Sequence, residues 1–315
     1  MAMSNYSGGF ADGVMIRGLP LTVAHPGKVF WVSNAAAAEL TGQKTGSDGN
    51  RGTFNDPFAT LDYAIGRCTA SRGDIIFVKP GHAENIATAT AMALDVAGVA
   101  VVGLGVGSLR PTFTLITATT AEIAITAANV SLVNLLIRHN LLDIVRSVSV
   151  AAAYANLQYL ELRDLSTILN VLTPIKAIST VDDTDNGLSV TNCKWKGLAT
   201  GNLEFIEINA NMDNFVAEDN QVVSAGTASP FFLSAGTKVQ TALSIKRNYL
   251  QNANTGGDLA WDNGGATNTG IIAHNRVGHA DVTGVHVLGA VAGARFFDNL
   301  SVSTDALSGF VLPAI

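Results

Sequence analysis

The densest group of acidic side chains lies in VDDTDNG, residues 181–187, which contains Asp182, Asp183 and Asp185. Three carboxylates in so short a stretch could bind Ca²⁺ or form an acid–base pair. Ca²⁺ takes about six to eight oxygen ligands, and the stretch near position 210, NANMDNF, offers only Asp213 in addition. We therefore interpret this heptapeptide as a solvated turn and predict neither a catalytic residue nor a metal site in it.

A second group contains three histidines and one carboxylate: His274, His279, Asp281 and His286. Alternate residues of a strand share a face, so His279 and Asp281 could point the same way. Their spacing matches no zinc-binding pattern. The sequence thus predicts no metal and no cofactor.

Two tryptophans, Trp195 and Trp261, could stack on sugar rings, because an aromatic face with a polar tip suits glycan binding. Single aromatic residues more often pack in a core. We favour packing for both side chains.

A ladder of Asn and Asp residues indicates the elements that carry these groups. Its members are separated by 30, 28, 28, 28, 27 and 24 residues. They are Asn134, Asp164, Asn192, Asn220, Asn248, Asn275 and Asn299. One polar residue recurring at a nearly fixed period is typical of a repeat protein.

Each ladder residue follows a short run in which apolar and polar residues alternate, as Leu188 and Val190 do before Asn192. Such alternation predicts a half-buried strand. Asn and Asp tolerate the left-handed conformation, so each strand is expected to bend sharply there. Repeated bends of this kind predict a parallel β-helix. A β-sandwich, whose turns keep no common register, is the alternative.

Composition limits the classes of protein and partner. Charged residues make up 14% of the chain, against about 25% in ordinary soluble domains. Either the protein buries surface against copies of itself, or Asn, Ser and Thr supply its polarity. The net charge of −6 predicts no nucleic-acid partner. No long apolar run or basic leader is present, so we expect no membrane span, no signal peptide and folding in a cytoplasm.

Residues 1–50 are predicted to form an irregular N-terminal arm and linker, and residues 51–315 the β-helix domain. The arm is too apolar for a disordered tail and too irregular for a core of its own. It either attaches to another surface or packs on its own β-helix. The predicted attachment residues are Phe10, Met15, Ile16, Arg17, Leu19, Phe30 and Trp31.

One short amphipathic helix is predicted at residues 57–70. Asp56 followed by Pro57 is typical of an N-cap with proline in the first helical position. Leu61, Ala64 and Ile65 recur at helical spacing. This helix is expected to cover the open first coil, whose edge would otherwise recruit other chains.

Three segments resemble a known family. GTFNDPFATLDYAI (52–65), GDIIFVKPGHAENI (73–86) and VVGLGVGSLRPTFTL (101–115) resemble the opening coils of right-handed β-helix proteins of the pectin-lyase-like superfamily, particularly those of tailed bacteriophages. GGFADGVMIRGLP and KVFWVS in the arm are similar to small phage structural proteins encoded among head genes. The resemblance implies an all-β, right-handed parallel β-helix with one capping helix.

The resemblance leaves several functions open, since this fold carries lyases, hydrolases, tailspikes and structural proteins. The enzymatic motifs of polygalacturonase-like and pectate-lyase-like members are incomplete here. We therefore expect a non-enzymatic virion protein that decorates or cements the capsid, attaches to the major capsid protein through its arm, and forms a homotrimer. The alternative is a tail fibre or tailspike-like protein that binds or degrades host polysaccharide. A free polysaccharide lyase is a third alternative.

Overall fold

A computed structural model describes residues 15–16, 19–20, 27–35, 42–179, 181–226, 231–234, 238–253, 261–262, 267–279, 293–303 and 309–310. Three sheets run along the molecule, and seven turns of the chain contribute one strand to each sheet. This arrangement is a parallel β-helix of about seven turns, one for each strand of the seven-stranded sheet. The predicted fold class is confirmed.

The strands of each sheet follow in chain order. Sheet 1 contains Val29–Val32, Ile75–Val78, Ala100–Gly103, Ser131–Val133, Asn156–Gln158, Ser189–Thr191, Val216–Glu218, Leu243–Lys246, Gly270–Ala273 and Ala294–Phe297. Sheet 2 contains Ala83–Ile86, Thr112–Leu115, Leu136–His139, Glu161–Asp164, Lys194–Lys196, Gln221–Ser224, Tyr249–Asn252, Arg276–His279, Leu300–Ser303 and Gly309–Phe310. Sheet 3 contains Ala93–Leu94, Ile123–Ile125, Ile144–Val150, Val171–Ala177, Ile206–Ile208, Phe232–Ser234 and Trp261–Asp262.

Two further pairs of short strands lie outside these sheets: Met15–Ile16 with Leu19–Pro20, antiparallel, and Met212–Asp213 with Gln240–Thr241, parallel. Within the three sheets, neighbouring strands pair in parallel, except that Gly309–Phe310 is antiparallel to Leu300–Ser303. No helix among the described residues is long and apolar enough to cross a membrane.

The core fills the inside of the coil with stacked apolar side chains, because alternate residues of every strand point inward. The inward stack of sheet 1 is Val101, Leu132, Leu157, Val190, Ala217, Ile245 and Ile272. The inward stack of sheet 2 is Phe113, Ile137, Leu162, Trp195, Val222, Leu250 and Val277. The outward residues of each strand are therefore the ones left for function.

The turn between sheets 1 and 2 has the same two-residue form in seven successive coils. The first residue has a positive φ: Asn134, Tyr159, Asn192, Asp219, Arg247, His274 and Asp298. The second residue is buried: Leu135, Leu160, Cys193, Asn220, Asn248, Asn275 and Asn299. The chain bends at the first residue, and the second fills the corner of the core.

Four of the buried residues form a hydrogen-bonded amide stack, which we define as Asn220, Asn248, Asn275 and Asn299. Each Nδ2 in the first three coils donates to the Oδ1 of the next at 2.9 Å. Each amide also bonds to backbone groups of neighbouring coils. The stack thus satisfies polar groups that would otherwise be orphaned in the core.

Three residues of the predicted ladder lie elsewhere. Asn134 and Asn192 occupy the left-handed position one residue earlier, and Asp164 is the last residue of a sheet 2 strand. Sequence alone does not distinguish the left-handed residue of the turn from the buried residue after it, because Asn suits both a left-handed bend and a buried amide stack. Asp164 was included in the predicted ladder because it also follows a run in which apolar and polar residues alternate.

The first coil is closed by a helix shorter than predicted, Leu61–Gly66. Thr60 is its N-cap, and the Thr60 side chain accepts a hydrogen bond from the backbone N–H of Tyr63. The predicted cap, Asp56, instead pairs with Lys44 at 3.1 Å. Leu61, Ala64 and Ile65 of the helix are buried, so the helix contributes to the core of the first coil.

Two of the predicted attachment residues belong to the β-helix itself. Phe30 and Trp31 lie in strand Val29–Val32, which pairs in parallel with Ile75–Val78. Trp31 packs against Phe54 and Phe77, with ring centroids 4.9 and 5.0 Å away. Met15, Ile16 and Leu19 lie in the short antiparallel pair, while Phe10 and Arg17 lie outside the described residues.

Candidate functional site

The acidic heptapeptide is only partly a solvated turn. Asp182 is exposed, accepts a hydrogen bond from the backbone N–H of Asn211 and pairs with Lys238 at 3.2 Å. These contacts lower the pKa of Asp182, the Asn211 hydrogen bond most strongly. Asp185, in contrast, is fully buried, and neither carboxylate oxygen has a hydrogen-bond partner. Burial raises the pKa of Asp185 to about 6.

The described side chains of the other groups that the sequence singles out are a surface histidine and two core tryptophans. His274 is exposed and lies 3.7 Å from Asp298, while Asp281 and His286 lie outside the described residues. Trp195 stacks on Phe205 and Trp261 packs against Phe232, both inside the core as predicted. Within the described part of the chain, no three His, Cys, Asp or Glu side chains are grouped to hold a metal ion.

Asp164 belongs to a buried polar network at the corner between sheets 2 and 3. His139 Nδ1 lies 2.8 Å from Asp164 Oδ1, and His139 Nε2 lies 2.7 Å from Ser147 Oγ. The order Ser–His–Asp is that of a charge-assisted nucleophile. All three side chains are almost completely shielded from solvent, and Asp164 also accepts bonds from Leu198 and Asn202. The network therefore stabilises the corner, because no substrate can reach the hydroxyl.

A second acidic group lies on sheet 3, and its chemistry is closer to a functional site. Lys176 pairs in register with Glu207 on the neighbouring strand, and both point away from the core residues Ile175 and Ile206. Lys176 Nζ and Glu207 Oε2 are 2.5 Å apart. Their side chains are 23% and 13% exposed, so the ion pair can be approached from solvent.

Glu204, three residues before Glu207, completes what we call the carboxyl pair, Glu204 and Glu207. Thr173 Oγ1 donates to Glu204 Oε1 at 2.5 Å. Glu204 is only 4% exposed. Burial raises the pKa of Glu204 to about 7, and the adjacent Glu207 raises it further against the lowering effect of Thr173.

The ion pair between Arg146 and Glu122 lies beside these groups on sheet 3. Arg146, whose strand position pairs with Thr173, contacts Glu122 through two guanidinium nitrogens. Glu122 is 5% exposed. Charged and proton-bearing groups therefore occupy consecutive strands of this sheet.

The carboxyl pair has the electrostatic arrangement of an acid–base centre. Burial favours the protonated form of Glu204, and Glu207 is bound to an ammonium group, so their environments differ as the two roles require. The pair can therefore act as one proton-donating unit.

Sequence reasoning missed this pair. Glu204 and Glu207 stand in GNLEFIEI without a recognisable motif, and Thr173 and Lys176 lie about one repeat earlier. Only the register of strands Val171–Ala177 and Ile206–Ile208 brings the four residues together. The available signal was the spacing of Lys176 and Glu207, which is 31 residues and close to the period of the coil.

Comparison with known proteins gives two structural likenesses. No family model matches the sequence, and no curated protein matches it. A structure named rhamnogalacturonan lyase has a TM-score of 0.48 and 14% identity, over 86% of this chain and 73% of that one. The GH136 lacto-N-biosidase from Eubacterium ramulus has a TM-score of 0.42 and 12% identity, over 88% of this chain and 64% of that one. Both likenesses concern the fold alone.

The expectation that this chain is not an enzyme is corrected by this comparison. Both structures carry the names of enzymes, and a fold by itself does not distinguish a structural role from a catalytic one. The missing polygalacturonase-like and pectate-lyase-like motifs exclude only those particular sites. The function of the chain must therefore be inferred from the side chains on the outside of the coil.

Proposed function

We propose that this protein acts on a carbohydrate polymer, with Glu204 of the carboxyl pair as the proton donor. The observation that carries the proposal is a buried carboxyl group, bonded to Thr173 and three residues from the Lys176–Glu207 ion pair, whose pKa burial raises to about 7. Proton transfer is most effective when the pKa of the donor lies near the working pH.

The reaction that fits this centre is acid-assisted cleavage of a glycosidic bond. Glu204 supplies its proton to the glycosidic oxygen through the adjacent Glu207, whose side chain is 13% exposed, as the bond to the anomeric carbon breaks. A water molecule then bonds to that carbon, and the proton it releases returns to the carboxyl pair. Thr173 holds the Glu204 carboxyl in place, and the ammonium group of Lys176 stabilises the negative charge left on the pair.

This proposal takes the polysaccharide alternative in preference to capsid decoration. Location in a phage virion, attachment through the arm and a homotrimeric state rest on the sequence resemblance and remain predictions. A tailspike-like protein acting on host polysaccharide agrees with both the resemblance and the carboxyl pair.

To test the proposal, the protein is incubated with a panel of neutral and acidic polysaccharides. Cleavage is measured as the amount of reducing ends released. We expect Glu204→Gln to reduce cleavage at least about a hundredfold, the usual contribution of general acid catalysis. Wild-type cleavage should decline as pH rises above about 7, when Glu204 loses its proton.

Asp95→Asn is the matched control, because Asp95 is an exposed carboxylate without an ion pair among the described residues. It should cleave at the wild-type rate. Thermal unfolding of both variants shows whether any loss is due to misfolding. A folded Glu204→Gln variant with full activity, or a wild-type chain that cleaves no glycan of the panel, would refute the proposal.

A further inference from the structure

The outward face of sheet 2 carries an unusual concentration of cations. Register places Arg138, Arg163 and Lys196 in one row on consecutive strands. The parallel row beside it contains Glu161, Lys194, Gln221, Tyr249 and Arg276. We call these two rows, together with Arg110, which pairs with Glu161 at 2.8 Å, the cationic face.

The cationic face holds six basic side chains and one acidic side chain among its described residues. The chain as a whole has 19 basic and 25 acidic residues, so the face reverses the charge of the molecule. Glu161 is already paired with Arg110 and Arg163. Four cations, Arg138, Lys194, Lys196 and Arg276, have no ion pair in the described structure. Their charge is available to an external anion.

The stacking of like charges is unfavourable in the absence of such an anion. Neighbouring strands are about 4.8 Å apart, and like charges directly opposite one another destabilise a sheet. Arg138, Arg163 and Lys196 succeed one another with no carboxylate in their own row. A bound polyanion along the row would relieve this repulsion.

A shallow depression lies in the middle of this face. Its volume is about 210 Å³, and its charged lining is Glu161, Arg163, Lys194 and Lys196. Gln221 also borders it, and Tyr249 stands beside Gln221, 44% exposed, with its hydroxyl donating to Gln251 at 3.1 Å. Amide and hydroxyl groups beside cations suit a ligand that carries both hydroxyl groups and carboxylates.

We propose that the cationic face binds an acidic polysaccharide, with its chain along the axis of the β-helix and its carboxylates against Lys194 and Lys196. The inference rests on the proposed function in taking a carbohydrate as the partner, and it adds the class of carbohydrate. Nucleic acid fits less well. Tyr249 is the only aromatic side chain exposed on the described face for base stacking.

Binding of the full-length chain to alginate, a polyuronate, tests the proposal by titration calorimetry. Carboxyl-reduced alginate is the neutral counterpart, and a single-stranded DNA oligonucleotide is the competing polyanion. We expect alginate to bind with an affinity that falls as salt rises, and both other polymers to bind at least tenfold more weakly. Equal binding of alginate and its reduced form, or tighter binding of DNA, would overturn the proposal.

The matched variants remove equal charge from different surfaces. Lys194→Gln/Lys196→Gln alters the cationic face, and Arg51→Gln/Arg67→Gln removes two exposed cations outside sheet 2. The first should weaken alginate binding about tenfold or more, because two contacts to the polymer's charges are lost, and the second should change it less than twofold. Unchanged binding by the first variant would contradict the site.

The two proposals fail separately in these experiments. Glu204→Gln should bind alginate like the wild type, because Glu204 belongs to sheet 3 and not to the cationic face. If a neutral glycan is cleaved in a Glu204-dependent way and alginate is not bound, the binding site is wrong and the catalytic assignment stands. If alginate is bound through Lys194 and Lys196 but nothing is cleaved, the catalytic assignment is wrong and the binding site stands.

Discussion

At the scale of single residues, Asp185 is an unfavourably placed carboxyl group. It is fully buried, both of its oxygens lack partners, and burial raises its pKa to about 6 from an ordinary value of 3.8. Below about pH 4 the folded and unfolded chains both hold this proton. Between about pH 4 and 6 only the folded chain keeps it, so stability falls as pH rises.

Asp185→Asn should therefore stabilise the protein at pH 7.5. We expect a gain of about 1–3 kcal/mol in the free energy of unfolding, since one pKa unit corresponds to about 1.4 kcal/mol. The gain should disappear at pH 4, where Asp185 is neutral in both states. Urea unfolding at the two pH values measures it. A variant destabilised at pH 7.5 would mean that the carboxylate has a partner in solution.

The amide stack leads to a prediction of the opposite sign. Asn248→Leu removes hydrogen bonds to Asn220, Ala217 and Asn275 inside the core, and it leaves the amide of Asn220 short of an acceptor. We expect a loss of about 1–3 kcal/mol, the range for a buried polar group left unsatisfied.

Gln221→Leu is the control for the stack. It also replaces a side-chain amide by leucine, at an exposed position next to Asn220, where no buried hydrogen bond is lost. Urea unfolding should show an effect within about 0.5 kcal/mol. Equal losses in Asn248→Leu and Gln221→Leu would show that the stack contributes nothing specific.

At this scale the sequence predicted that Asn residues recur at the turn between sheets 1 and 2. It did not predict which of the two turn positions each Asn occupies. The period of the buried amides revealed the coil, because a polar residue can recur in a core only where partners recur as well. It did not separate Asn192 from Asn220, since the left-handed residue and the buried residue are neighbours in the chain. Which of the two is an amide changes from coil to coil.

At the scale of the elements, both proposed sites depend on strand register. Lys176 and Glu207 face each other because Ile175 pairs with Ile206, and Arg163 meets Lys196 because Leu162 pairs with Trp195. A shift of one residue would turn these side chains into the core. Turns of different length lie between the strands, so a fixed period could not give the pairing of each coil. For this reason the sites were not visible in the sequence.

The helix shows a different limit of sequence reasoning. The apolar spacing of Leu61, Ala64 and Ile65 predicted the buried face correctly. The start was placed too early because Asp56–Pro57 is typical of an N-cap, whereas Thr60 supplies a cap four residues later. Asp48 accepts hydrogen bonds from the backbone and hydroxyl of Thr60, a contact across 12 residues that no local pattern indicates.

At the scale of the whole molecule, charge is segregated in a way that composition conceals. A net charge of −6 gave no sign of a basic surface, yet sheet 2 gathers six of the 19 basic residues onto one face. Parallel coils produce such segregation readily, since one outward position repeated in each turn becomes a continuous row. The molecule thus offers two separate faces, one for proton transfer and one for polyanion binding.

The N-terminal boundary of the β-helix can be tested by two truncations. Removing residues 1–35 deletes strand Val29–Val32, which exposes the edge of Ile75–Val78 and takes Trp31 away from Phe54 and Phe77. Removing residues 1–26 keeps this strand. We expect the shorter truncation to unfold at a higher temperature than the longer one and to stay monodisperse, because an unpaired strand edge recruits other chains. Size-exclusion chromatography and thermal unfolding measure both effects. Equal behaviour of the two truncated chains would place Val29–Val32 with a separate attachment arm, as the sequence had suggested, and not with the first coil.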